Sequence, residues 1–112
     1  MTTPSTELSA QPEAFETEGD YGKVADLFKA LAHPLRLKIV CGLLRSSATQ
    51  TSIARGLHVP QSSVAQQLAV LRRTGIVVGK RSANEVILAL ADARIVAILR
   101  AACPHDGPGS SG

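Results

Sequence analysis

Two groups of side chains in this chain are able to act on another molecule: the polar residues between Thr51 and Arg73, and the two cysteines, Cys41 and Cys103. The first stretch reads TSIARGLHVPQSSVAQQLAVLRR. Val64, Leu68 and Leu71 fall at i, i+4 and i+7, on one side of a 3.6-residue repeat. At about 100° per residue the opposite side carries Ser62, Gln66, Ala69 and Arg73, with Gln61, Ser63 and Ala65 beside them. Gln66 can bond both the ring nitrogen and the amino group of an adenine, and Arg73 suits guanine or phosphate. The small residues let a helix sit deep in a major groove. This is the chemistry of a helix that reads double-stranded DNA. A helical hairpin with a solvated polar face is the plainer alternative.

Other elements must present this helix. Pro60, with its fixed φ, suits its first position, and Gly56 to Val59 supply a short turn from a preceding helix, Thr49 to Gly56, anchored by Ile53. Upstream, Val24, Leu27, Phe28 and Leu31 mark an amphipathic first helix from Tyr21, with Ala14 to Glu18 as a candidate backward extension. His33-Pro34 breaks it. Leu35 to Leu44 is apolar on nearly every side and predicts a buried second helix. Downstream, Gly75 ends the helical pattern, and the runs from Ile76 and from Val86 to Leu90 predict a hairpin around Ser82-Ala83-Asn84-Glu85. Lys80 and Arg81 on its first arm make it a wing suited to phosphates or the minor groove. Asp92 is a candidate N-cap for a last helix running to Cys103. Its stripe of Ile95, Ile98, Leu99 and Ala102, together with the first helix, is the expected subunit contact.

With 112 residues, 45% of them hydrophobic, and only 3% aromatic, the chain supports one modest core of Leu, Ile, Val and Ala. The expected fold is mainly α with a small β-hairpin: a dimeric winged helix-turn-helix over residues 21–103. Residues 1–20 read as a flexible acidic arm, with five acids and no Lys or Arg, and residues 104–112 as a disordered Gly/Ser/Pro-rich tail. Residues 21–103 hold twelve bases against three acids, a net +9 that favours a polyanionic partner. No apolar run approaches a membrane span and no signal pattern opens the chain, so a cytoplasmic protein that makes no membrane contact is expected. No phosphate-cradling glycine motif and no paired carboxylates point to an enzyme, and no cofactor is expected.

Cys41 lies in the buried second helix and Cys103 at the end of the last. Three readings stay open: inert small hydrophobes, a thiol switch, or a thiolate metal or metalloid site that adds His105. Direct joining of the two sulfurs requires Cα atoms within about 7 Å. His33 and His58 are assigned local roles, at a helix start and in the turn.

The order of elements, with LFKALAHPLRLKIVCGLL leading into VPQSSVAQQLAVLRRTGIV, resembles the ArsR/SmtB winged-helix repressors from about Tyr21 to Cys103. The resemblance implies a homodimer that binds a two-fold operator, represses, and is released by an inducer. Thr49 and Thr51 stand where metal-binding members carry Cys-x-Cys. The zinc pattern of the last helix is reduced to Asp92 and His105, with Arg94 and Pro108 at the other two positions. No zinc site of that kind is therefore expected. The IVCGLL setting of Cys41 resembles the persulfide-sensing BigR/SqrR branch, which pairs this cysteine with one in the terminal helix. Cys103 stands about one turn earlier than that partner. The branch implies a sulfane sulfur inducer.

Overall fold

The structure is a computed structural model that describes residues 12–104. Their α-helices are α1 (Tyr21–Leu31), α2 (Pro34–Arg45), α3 (Gln50–Leu57), α4 (Gln61–Arg73) and α5 (Ala93–Ala102). Strands β1 (Val77–Ser82) and β2 (Glu85–Leu90) form an antiparallel hairpin between α4 and α5. This is the expected winged helix-turn-helix order, mainly α with one small hairpin. Of the expected acidic arm, residues 1–11 lie outside the described part and Pro12–Ala14 form an exposed 3-10 turn.

Helix ends follow the caps written in the sequence. Asp20 accepts from the Lys23 amide at 3.0 Å, which starts α1 at Tyr21, so the backward extension through Ala14 to Glu18 does not form. His33 caps α2 and Pro34 occupies its first turn. Thr49 caps α3, and Asp92 caps α5 by accepting from Arg94 and Ile95, both at 3.0 Å.

The turn between α3 and α4 departs from expectation. Gly56 lies in α3, as the expected helix Thr49 to Gly56 has it, but the helix runs on to Leu57, and the left-handed residue that ends it is His58, at φ 58° and ψ 45°. The Val59 amide returns to the Ala54 carbonyl at 3.1 Å and closes the helix end. Pro60 is the residue before α4 and not its first turn, because its ψ of 147° is extended. Its carbonyl accepts from the amides of Ser63 and Val64, which starts the helix one residue later.

One core joins all five helices and the base of the wing. Val40, Val64, Leu71 and Ile76 are fully excluded from solvent. Each such side chain contributes roughly 1.5 to 3 kcal/mol of transfer free energy. α2 touches every other α-helix and β2, as its all-round apolar sequence predicts. The wing is tied down at its base: Ala48, ahead of α3, pairs with Leu88 of β2 through bonds of 3.1 and 2.8 Å.

The stripe expected to join subunits is corrected in part. Ile95 and Leu99 are buried in the core of their own chain, at 4% and 1% exposure, because α5 lies against α2. Among the described residues the most numerous exposed large apolar side chains lie on α1 and just before it, Phe15, Tyr21, Val24 and Phe28; Leu37 of α2, on the helix expected to be buried, and Val78 and Val86 of the wing are also exposed.

Candidate nucleic-acid interface and dithiol

α4 shows the two faces read from its sequence. Val64, Leu68 and Leu71 are buried, whereas Gln61, Ser62, Gln66, Ala69 and Arg73 are exposed. Ser63 and Ala65 are half-buried at the margin between the two faces. The amide of Gln50 and the hydroxyl of Thr51, at the start of α3, lie 3.5 Å from the side-chain oxygen of Gln61. Gln61 thus helps to hold the two helices of the motif together while standing at the edge of the exposed polar face.

The far end of α4 meets the wing. A Cβ built on Gly79 of β1 would stand 3.1 Å from a terminal nitrogen of Arg72 and 2.9 Å from a methyl of Val86. Only a glycine lets the Arg72 guanidinium lie this close to the strand. The register pairs Gly79 with Leu88, Arg81 with Val86 and Lys80 with Ile87. Side chains alternate along a strand, so Arg81 shares the α4-facing side with Gly79 and Lys80 stands on the other side. Both are exposed. Arg72 was missed in the sequence because it lies off the reading stripe; the glycine inside a strand was the available signal.

A second tie fixes α4 from the opposite side. Arg36, in the first turn of α2, donates from Nε to the Ala30 carbonyl at 2.6 Å and from Nη1 to the side-chain oxygen of Gln67 at 2.8 Å. One guanidinium thereby joins the end of α1, the start of α2 and the middle of α4. Periodicity assigned Gln67 to neither face of the helix, and nothing in a single sequence pairs it with Arg36.

Cys41 and Cys103 form a disulfide, with Cα atoms 5.8 Å apart. The offset of Cys103 along the last helix does not keep them apart. α5 ends at Ala102, and Cys103 is its extended cap residue, held by its amide to the Leu99 carbonyl at 2.7 Å. Cys103 is buried and Cys41 half-buried. Among the described residues no group of three or more His, Cys, Asp or Glu gathers as metal ligands. His105, the third candidate ligand, lies outside the described residues, as does Pro108. No described helix is long and apolar enough to cross a membrane.

Residues 33–78 match the family described as bacterial regulatory protein, arsR family. The chain is also 33% identical over 79 residues to the biofilm growth-associated repressor of Xylella fastidiosa, covering 70% of this chain and 69% of that protein. The chain belongs to the ArsR family. It is 40% identical over 82 residues to SmtB of Mycobacterium tuberculosis, an HTH-type transcriptional repressor, covering 73% of this chain. It spans 61% of that relative's length. Among solved structures, HlyU from Vibrio cholerae is similar with a TM-score of 0.71 and 32% identity, over 76% of this chain and 92% of that one. The resemblance drawn from ALAHPLRLKIV and QSSVAQQLAVLRRTGIV is therefore one of family, and the biofilm growth-associated repressor is among the relatives.

Proposed function

We propose that this ArsR-family chain is a cytoplasmic transcriptional repressor that binds a two-fold DNA operator as a homodimer and is released when Cys41 and Cys103 become linked. The observation that carries the DNA reading is α4 itself: an exposed face of Ser62, Gln66, Ala69 and Arg73 on a helix anchored by three buried side chains. Gln61, Ser63 and Ala65 border that face, and Lys80 and Arg81 of the wing supply charge for flanking phosphates. The names of SmtB and of the Xylella fastidiosa protein, both repressors, support the same direction of control.

A dimer would cover Tyr21, Val24 and Phe28, which stand 58%, 43% and 53% exposed on α1. A two-fold pair also places two reading helices on successive major grooves, about 34 Å apart. Phe28→Glu is expected to give monomers with poor operator affinity, checked by sedimentation. A variant that stays dimeric would move the contact elsewhere.

The thiol step balances without a cofactor. A persulfide donor RSSH transfers its outer sulfur to one cysteine with loss of RSH. The second thiol then displaces that sulfur as hydrogen sulfide, leaving the Cys41–Cys103 disulfide. A two-electron thiol oxidant such as diamide reaches the same product and carries away both hydrogens. The 5.8 Å Cα separation supports direct linkage. Release requires that the linked dimer hold its reading helices where two grooves no longer fit them, and a tenfold loss of affinity corresponds to about 1.4 kcal/mol.

Operator affinity measured before and after a sulfane sulfur donor tests this function, on a duplex selected from random DNA by the reduced protein. Cys41→Ser and Cys103→Ser are each expected to bind as the wild type does when reduced and to stay bound after treatment. Release of either variant would exclude the dithiol switch.

A further inference from the structure

The disulfide joins α2 to the residue that ends α5, whereas the proposed DNA-reading face is on α4. Something must connect them. Cys41 and Arg36 both lie on α2, and the guanidinium of Arg36 reaches Gln67 in the middle of α4 at 2.8 Å. Gln67 stands next in sequence to Gln66, the central residue of the reading face. The same guanidinium is anchored at 2.6 Å on the Ala30 carbonyl, among the last carbonyls of α1, which lack partners within that helix. The two bonds leave Arg36 through different nitrogens of one planar group, so a shift of α2 relative to α1 cannot be absorbed by swinging the side chain alone. Apolar contacts between α2 and α4 also couple the two helices through the close-packed core, but they offer no donor or acceptor that one substitution of similar bulk removes.

We propose that the Arg36–Gln67 hydrogen bond is the link through which the state of the Cys41–Cys103 pair sets the orientation of the reading helix; this rests on the thiol-controlled repressor reading above. Arg36 and Gln67 are positioning residues. They act on base recognition through α4 without touching the bases. The hydrogen bond is formed with the cysteines joined, and on this proposal it holds α4 in the released orientation.

The test compares operator affinity of reduced and diamide-oxidised protein for the wild type, Gln67→Leu and Gln67→Glu. Gln67→Leu keeps the bulk and removes the acceptor; Gln67→Glu keeps an acceptor and adds a charge that strengthens the bond to Arg36. The wild type is expected to lose at least about tenfold in affinity on oxidation, the factor of the release argument above. Gln67→Leu is expected to bind about as well as the wild type when reduced and to lose less than about twofold on oxidation, so that the oxidised variant gains affinity over the oxidised wild type. A merely structural role cannot give that gain. Gln67→Glu, whatever its absolute affinity, is expected to recover the tenfold ratio.

An undiminished ratio in Gln67→Leu would overturn the link while leaving the thiol switch standing. A wild type indifferent to diamide would remove the switch and the link together. If Gln67→Leu binds neither state, amide exchange over residues 61–73 decides. Equal exchange before and after oxidation in the variant, where the wild type differs, supports the link. A difference as large as in the wild type overturns it.

Discussion

α3–α4 and α2–α5 are both helix pairs resting on one core, but different forces join them. Between α3 and α4 the specific ties are polar and sit at the surface, from Gln50 and Thr51 to Gln61, while the part-buried Arg36–Gln67 bond holds α4 to α2. Between α2 and α5 the contact is apolar and covalent, with Ile39, Val40 and Leu99 sealed from solvent beside the disulfide. Hydrogen bonds exposed to water each contribute little, about 0.5 to 1.5 kcal/mol, and can be exchanged for others. A buried seam with a cross-link cannot be. The pair that would meet the ligand is therefore the adjustable one, and the pair that would be chemically modified is the rigid one.

The comparison can be broken most strongly at the rigid end. The disulfide closes a loop across a sequence separation of 62. Reducing it is expected to lower the free energy of unfolding by about 2 to 4 kcal/mol, read from urea melts with and without dithiothreitol. A change below about 0.5 kcal/mol would mean that the seam is held by packing alone. Removing a polar side chain from the other end should act on binding instead. Gln66→Ala is expected to leave the melt within about 0.5 kcal/mol of wild type, as for an exposed position. It should weaken operator binding by about 1 to 3 kcal/mol at one base position per half-site. Unchanged base preference in a binding selection would show that Gln66 is not a reading residue.

The smallest effect is expected at the turn. His58 holds a left-handed conformation with φ 58°. Glycine takes that conformation without a Cβ clash, so His58→Gly is expected to stabilise the fold by about 0.5 to 1 kcal/mol in the same melts. A loss of stability would show that the imidazole makes a contact worth more than the backbone relief.

What could be read from the sequence follows the same division. The buried side of each helix is repeated every three or four residues, so Val64, Leu68 and Leu71 reveal the placement of α4 without any partner. Caps are equally local, and Asp20, Thr49 and Asp92 all act within three residues of themselves. The turn is less legible, because the left-handed residue is His58, where no glycine marks it, and Val59 closing back on Ala54 is what selects it. The expected subunit role of the α5 stripe fails at Ile95 and Leu99 for another reason. Periodicity says that Ile95 and Leu99 are covered, and it does not say whether their own chain or a second one covers them. The Arg36–Gln67 bond joins residues distant in sequence, and Arg72 above Gly79 depends on the angle at which the wing leaves α4.

The pairing of Ala48 with Leu88 bears on how the chain comes to be folded. α2, α3 and α4 can meet through short connections soon after they form, whereas the wing docks only when the segment carrying α3, α4 and β1 has been closed into a loop. Contacts of that range are formed late, because the entropy of closure precedes any gain from packing. The hairpin base thus docks after the three helices have met, ahead only of the α2–α5 seam, which closes across a sequence separation of 62. Substitutions at Leu88 would speed opening of the hairpin base far more than they slow its assembly.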